Sequence, residues 1–231
     1  MIAMRRLWRA LGPVAQTIFA CAAMTSLAAA CPTQADLADG IVIKTGKPDS
    51  ANIFIVRDLG NGLIWKGQHS WLFPDQWQSF HHQGAFLLYT QRDSGTGKKV
   101  NTYSTDLPEI VDGATFTALT AWGDPAGAQT WSGELTYSLA ARDPVTIGTC
   151  VYDALSIKIE GELTYPDGAI RRYGRTDVYL PQLRFTMGSG AAFSVETVGF
   201  GDPVIGTRKL RKLAKDEAAL ADILARYNVG G

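Results

Sequence analysis

The chain has 231 residues, 46% of them hydrophobic, and its 22 Lys and Arg balance 22 Asp and Glu to a formal net charge of zero. Such a composition excludes a disordered polar tract, and the charge balance gives no electrostatic reason to expect a nucleic-acid partner. The length beyond the first thirty residues suits one domain.

Residues 1–30 read as a cleavable signal peptide. Arg5, Arg6 and Arg9 form a positive n-region, no acidic residue precedes Asp36, and Leu11 to Ala30 is apolar and small. The run is too rich in alanine for a membrane span, which needs about 20 strongly apolar residues. It ends in Ala28-Ala29-Ala30, small side chains that fit a signal-peptidase pocket, just before Cys31-Pro32. Trp8-Arg9 interrupts the apolar continuation of a twin-arginine signal, so the general secretory route is expected. Cleavage removes three of the 22 basic charges and leaves 19 against 22 acidic ones, a net of −3.

Cys31 has two readings. Leu27-Ala28-Ala29-Ala30-Cys31 approximates a lipobox, whose cysteine becomes a lipid anchor. Cysteine parity points the other way: Cys21 leaves with the signal, and Cys31 and Cys150 remain as an even pair. In an oxidising compartment that pair is expected as a disulfide. The expected location is the periplasm, with a lipid-anchored form at Cys31 as the alternative. No later stretch is long and apolar enough to cross a bilayer as a helix.

From Gly40 onward, short β-rich runs alternate with turn residues, the pattern of an antiparallel meander. The predicted strands are Gly40–Thr45, Ala51–Arg57 and Leu63–Gln68, the last two joined through Gly60-Asn61-Gly62, a type I′ hairpin signal. Residues 69–83 hold His69, Trp71, Trp77, Phe80, His81 and His82 without alternation and are expected as a loop or short helix. Gly84–Gln91 and Lys99–Ser104 form the next hairpin, followed by Thr115–Trp122 and Ala128–Leu139. In the latter, Trp131, Gly133, Leu135, Tyr137 and Leu139 share one parity and polar residues take the other, so one face is apolar and one is wet. Val145 to Tyr165 continues as one long run with Val145, Ile147, Val151, Leu155, Ile157, Ile159 and Leu163 in phase. Pro166-Asp167-Gly168 turns it into Ala169–Leu180, and Leu183–Met187 and Phe193–Phe200 supply the last strands. Long, cleanly alternating strands suit a curved sheet, a half-barrel or a barrel. Lys209–Tyr227 changes period, with Leu210, Leu213, Ala214, Leu220 and Leu224 on one stripe, and is expected as an amphipathic helix over the sheet. The predicted fold class is therefore mainly β, a curved antiparallel meander in a single domain over 31–231 with a C-terminal helix.

Candidate chemistry is sparse. Adjacent His81 and His82 on an extended chain point to opposite sides and cannot chelate one ion, so no metal site and no cofactor is expected. Trp65, Trp71 and Trp77 are the candidate ligand-lining residues, because aromatic faces supply large contact area with a polar handle; Trp131 is expected in the core. Arg171, Tyr173, Arg175, Asp177 and Tyr179 share a strand face that is expected to be solvated and salt-bridged, with Glu162 beside Arg172. Arg208-Lys209-Leu210-Arg211-Lys212 is read as a mixed-charge helix face. Gly188-Ser189-Gly190 lacks the full nucleophile-elbow pattern, and no catalytic residue is assigned.

Ile147-Gly148-Thr149-Cys150-Val151-Tyr152-Asp153-Ala154, with Val178-Tyr179-Leu180-Pro181-Gln182-Leu183, resembles uncharacterised periplasmic families in which a tyrosine–x–proline–x–leucine turn closes a β-meander. The stretch from Cys31 to Gly40 resembles mature starts of exported alphaproteobacterial proteins. Those families are similar to half-barrel lipoprotein carriers, which implies an open curved sheet closed by helices. No functional residue is carried over from the resemblance. The expected function is a non-enzymatic exported envelope protein that binds an apolar or lipid-like ligand or an envelope partner. A carbohydrate-binding or carbohydrate-active protein and a purely structural module are the alternatives.

Overall fold

The computed structural model describes residues 31–45, 52–70, 73–92, 96–188, 198–200 and 218–229. The expected signal peptide, Trp71 and the first half of the predicted helix lie outside the described residues. The described chain is mainly β. Its strands are β1 Ile41–Thr45, β2 Asn52–Asp58, β3 Leu63–Ser70, β4 Phe73–His82, β5 Phe86–Arg92 and β6 Lys99–Tyr103. They continue as β7 Thr115–Gly123, β8 Gln129–Ile147, β9 Cys150–Thr164, β10 Ile170–Leu180, β11 Phe185–Gly188 and β12 Val198–Phe200. One helix follows, α1 Ala218–Arg226. β1 to β11 form an antiparallel meander in chain order, and β12 adds to the free side of β1. The sheet does not close into a barrel.

Local chemistry explains most boundaries. Asn61 and Gly62 both hold positive φ, 52° and 82°, as a type I′ turn requires between β2 and β3. Asp36 caps a short 3-10 turn, Gln34–Ala38, accepting from the Thr33 backbone N at 2.6 Å and hydroxyl at 3.0 Å, and so presents the buried Leu37 to the sheet.

Two expectations need correction. Residues 73–82 are a strand rather than a loop: β4 is hydrogen-bonded along both edges, to β3 and β5, while Phe80 packs toward the C-terminal helix on one face and Trp77, Ser79 and His81 stand near Phe185 and Thr186 of β11 on the other, so no simple polar–apolar alternation marks it. The single run Val145–Tyr165 is two strands, because the chain reverses at Gly148-Thr149 and Ile147 pairs with Cys150. A two-residue turn inverts the parity, so Val151 is 67% exposed while Tyr152 and Ala154 are buried.

Three clusters build the core. One joins opposite ends of the strand order: Ile41, Ile43, Val56 and Ile64 pack with Ile147, Tyr152, Val178, Leu180, Phe185 and Met187. A second lines β8 to β10 with Leu135, Tyr137, Leu139, Ile157 and Leu163, joined by Phe86. A third sets Leu63, Trp65, Phe80 and Tyr89 beneath Leu220 and Ile223 of α1. The last four residues of β10, Asp177 to Leu180, are all buried: Val178 and Leu180 belong to the first cluster, Tyr179 to the second. The sheet therefore rolls until its late strands lie against its early ones. The Cys31–Cys150 disulfide, with Cα atoms 5.5 Å apart, fixes the N-terminal segment to β9 beside that seam.

Candidate functional site

The roll leaves a cleft of about 390 Å³ between β2–β5, β7 and β11. Its apolar wall is Phe54, Trp77, Leu87, Trp122 and Phe185. Its polar side is Lys66, Gln68, Ser79, His81, Thr90 and Thr186. Strand register sets this up. Lys66 stands opposite Ser79, which stands opposite Thr90, and Gln68 opposite Trp77, so these side chains share one face of β3, β4 and β5.

Lys66 is the unusual member. Only 6% of it is exposed, yet it belongs to a strand whose neighbours Leu63, Ile64, Trp65 and Gly67 are also buried. Its Nζ donates to the Gly84 carbonyl oxygen at 2.7 Å and lies 5.1 Å from the centroid of the Phe185 ring. Burial pulls its pKa from 10.5 down to about 7; Asp177 pushes back upward, and Arg175 adds to the lowering. The Asp177 carboxylate is committed elsewhere, to the Arg175 Nε at 2.6 Å. The β10 face expected to be solvated and salt-bridged is so at Arg171 and in the Arg175–Asp177 pair, but the expectation is corrected at its end, where Asp177 and Tyr179 are buried.

His81 lines the same cleft. Its Nε2 lies 2.9 Å from the Ser79 Oγ, and its Nδ1 is buried with no hydrogen-bond partner among the described residues. Burial first, then Lys66 and Arg175, holds its pKa well below the usual value, so the ring is neutral at pH 7. Its neighbour His82 points the other way, as adjacent strand residues must. His82 Nδ1 meets the Tyr227 hydroxyl at 2.7 Å and its Nε2 meets the Pro108 carbonyl at 3.2 Å, which ties the end of α1 to β4.

Gly84 is the rivet of the site. Its carbonyl accepts from both Lys66 and the Thr186 hydroxyl, the latter also at 2.7 Å. Its φ is +77°, and a Cβ there would collide with the Arg184 backbone. Arg184 in turn donates from its Nη1 to Asp58 at 2.7 Å, a half-buried ion pair across the same seam.

Of the three tryptophans singled out as ligand-lining, Trp77 stands in the cleft, its ring under the Arg92 guanidinium at 4.9 Å. Trp65 does not line it. One residue before Lys66, it points to the opposite face, is 1% exposed beneath α1, and donates its Nε1–H to the Gln78 Oε1 at 3.3 Å. Trp71 lies outside the described residues. Trp122 takes the remaining aromatic place in the cleft, while Trp131, opposite it in the ladder, packs against the second core cluster. Lys66 and Ser79 were not singled out in the sequence. The signal available was a lone lysine inside Leu63-Ile64-Trp65-Lys66-Gly67, where apolar residues hold both parities and neither face is left for water.

Among the described residues, no three or more His, Cys, Asp or Glu side chains come together in a metal-ligating group. No helix among them is long and apolar enough to cross a membrane. Comparison with protein-family models, curated proteins and solved structures yields no match.

Proposed function

We propose that the protein is an exported, non-catalytic binding protein that holds a small amphiphile in the cleft of its rolled sheet, apolar body against the aromatic wall and polar head toward Lys66. The observation that carries this reading is the cleft itself: five apolar side chains facing a buried amine. Its volume falls in the roughly 300–1,000 Å³ of small-molecule sites. Among the described residues the lining includes no carboxylate, which favours this reading over a carbohydrate-active one, whose chemistry uses a pair of acids. Export to the periplasm is supported by the signal-like first thirty residues together with the disulfide, since such bridges persist in oxidising compartments.

The test is a titration with sodium octanoate and with octanol, read by tryptophan fluorescence. Saturable quenching that Trp122→Phe reduces, and that Lys66→Met reduces more for octanoate than for octanol, is the expected result. A linear, unsaturable response to both, with saturation by an oligosaccharide instead, would overturn the reading. Non-reducing mass spectrometry of the exported protein checks the address: two free thiols or an acylated Cys31 would refute the disulfide-closed periplasmic form.

A further inference from the structure

We propose that Lys66 captures carbonyl ligands covalently and reversibly, so that the cleft is a receptor for aldehydes or ketones with an apolar tail. This rests on the cleft being a ligand site and adds the chemistry of the head group.

The Lys66 Nζ is a buried primary amine on the wall of a cleft of about 390 Å³ and has one acceptor among the described residues, the Gly84 carbonyl. It makes no ion pair among the described residues; the nearby acid, Asp177, is held by Arg175. An amine that gives one N–H to a carbonyl keeps its lone pair turned away from that oxygen. The Phe185 ring beneath it at 5.1 Å and the Trp77, Trp122 and Leu87 side chains offer the apolar surface along which a hydrocarbon tail would lie. A lysine that served only as a charge would gain by pairing with a carboxylate, and this one is placed where ionisation is penalised.

Titration supports the same assignment. With its pKa near 7 the amine is largely neutral just above neutrality, whereas an ordinary lysine is almost wholly protonated there. Asp177 and Arg175 from β10 are the charged groups that shift it, and His81 from β4 is the titratable group that lines the cleft beside it. His81 stays uncharged, and the upward push of Asp177 is partly offset by Arg175, so burial still holds the amine low.

The step balances without any redox partner. The amine nitrogen adds to the carbonyl carbon, its proton moves to the carbonyl oxygen, and a carbinolamine forms. That hydroxyl then leaves with a second nitrogen proton as one water, and a C=N bond remains; hydrolysis reverses it. Ser79, opposite Lys66 in the ladder and 2.9 Å from His81 Nε2, is the hydroxyl placed to pass protons during loss of water.

The experiment incubates the intact disulfide-bonded protein with octanal at pH 7.5, with sodium cyanoborohydride to reduce any imine to a stable secondary amine, followed by intact-mass and peptide mapping. The expected result is one octyl adduct on Lys66, formed at least about tenfold faster than on any other lysine, with a rate that rises through pH 7 rather than through pH 10. Octanoate, which occupies the cleft but cannot form an imine, should compete. Adducts spread over the surface lysines with no preference for Lys66 overturn the proposal. If octanoate still quenches tryptophan fluorescence saturably, the cleft reading survives and covalent capture alone is rejected; if neither probe binds, both are rejected. The wild-type peptide map decides without a variant, and Lys66→Arg, which keeps charge but forms no imine, checks that the adduct is lost while the circular dichroism of the fold is retained.

Discussion

Along β9, Lys158, Glu160, Glu162 and Thr164 face water while Ile157 and Leu163 are buried between them. Along β3, five consecutive residues from Leu63 to Gly67 are buried, a lysine among them. Both are central antiparallel strands with similar neighbours, and the difference lies in what covers them. The β8–β10 ribbon has one wet face, so its charges pair loosely at the surface; Lys158 and Glu160 meet at 2.8 Å with more than half of each side chain exposed, an arrangement that contributes little. β3 to β5 are covered on one face by α1 and on the other by the late strands of the roll. Every polar group there must find a partner or carry a cost. Polar residues in the ribbon are the cheap default, whereas those in the covered block are where function is to be sought.

The largest expected effect breaks the seam between the two regions. Cys150→Ser opens a loop of 119 residues and should lower unfolding free energy by about 5 kcal/mol in the chain-entropy account, read by urea denaturation against the oxidised wild type, with the reduced wild type matching the variant. Equal stability of the oxidised and reduced proteins would show that packing alone holds β9 to the N-terminal segment.

Lys66→Met sharpens the contrast by giving the covered block an apolar residue at its buried lysine position in β3. A lysine whose folded pKa is lowered costs most where both states are protonated, below about pH 7, and the cost falls as pH rises toward 10.5. The variant should therefore be stabilised by roughly 3 kcal/mol at pH 6, with the gain shrinking by about 2–3 kcal/mol at pH 9. Denaturant midpoints at the two pH values measure this, and a gain independent of pH would mean that Lys66 is not buried as an ionisable group.

Within the ribbon, two glycines should behave oppositely. A Cβ at Gly133 runs into the backbone of Glu162 and Leu163, so Gly133→Ala should cost about 2 kcal/mol as overpacking. At Gly174 nothing lies within 4 Å, and Gly174→Ala should be neutral or stabilise by about 0.4–1 kcal/mol through the unfolded chain. Thermal melts of the pair measure the difference, and equal effects of the two substitutions would mean that β8 and β9 are not tightly apposed at Gly133.

The smallest effect concerns the cover of the block. Tyr227→Phe removes the hydroxyl that meets His82 and should cost about 1 kcal/mol, seen as faster amide exchange in α1 with the β8–β10 ribbon unchanged. Exchange rising equally in both regions would mean that they unfold as one unit.

The ribbon was legible in the sequence because one dry and one wet face write an alternating text: Trp131 to Leu139 and Ile157 to Leu163 show which side is in. The I′ turn at Asn61-Gly62 and the cysteine pair were legible for equally local reasons. β4 was not, because a strand covered on both sides, with Trp77, Phe80, His81 and His82 in close succession, carries no alternation to read. The reversal at Gly148-Thr149 was hidden by a related effect: the apolar residues of β8 and β9 continue across a two-residue turn as though in phase, and only pairing shows that Val151 faces outward. As for the cleft, Trp77 was nominated from the sequence and stands in it, whereas Trp65, twelve residues earlier, faces away. Parity separates a residue from its immediate neighbour, but it does not say which face a distant strand will cover. Lys66 owes its place in the site to β11, whose Phe185 lies beside it and is distant in sequence, so no local pattern marks it.

The disulfide also has a history in time. A chain made from its N-terminus presents Cys31 well before Cys150, and at about 5–20 residues per second the interval is roughly 6–24 s. Throughout it, the only other thiol in the sequence is Cys21, ten residues upstream. If the leading segment is cut at Ala30 during that window, Cys31 is left with no partner to mispair with, and the bond that eventually forms is one that only a chain complete through the β8–β9 reversal can supply. Oxidation of Cys31 is then a record of assembly, a timestamp that separates finished molecules from those still in transit.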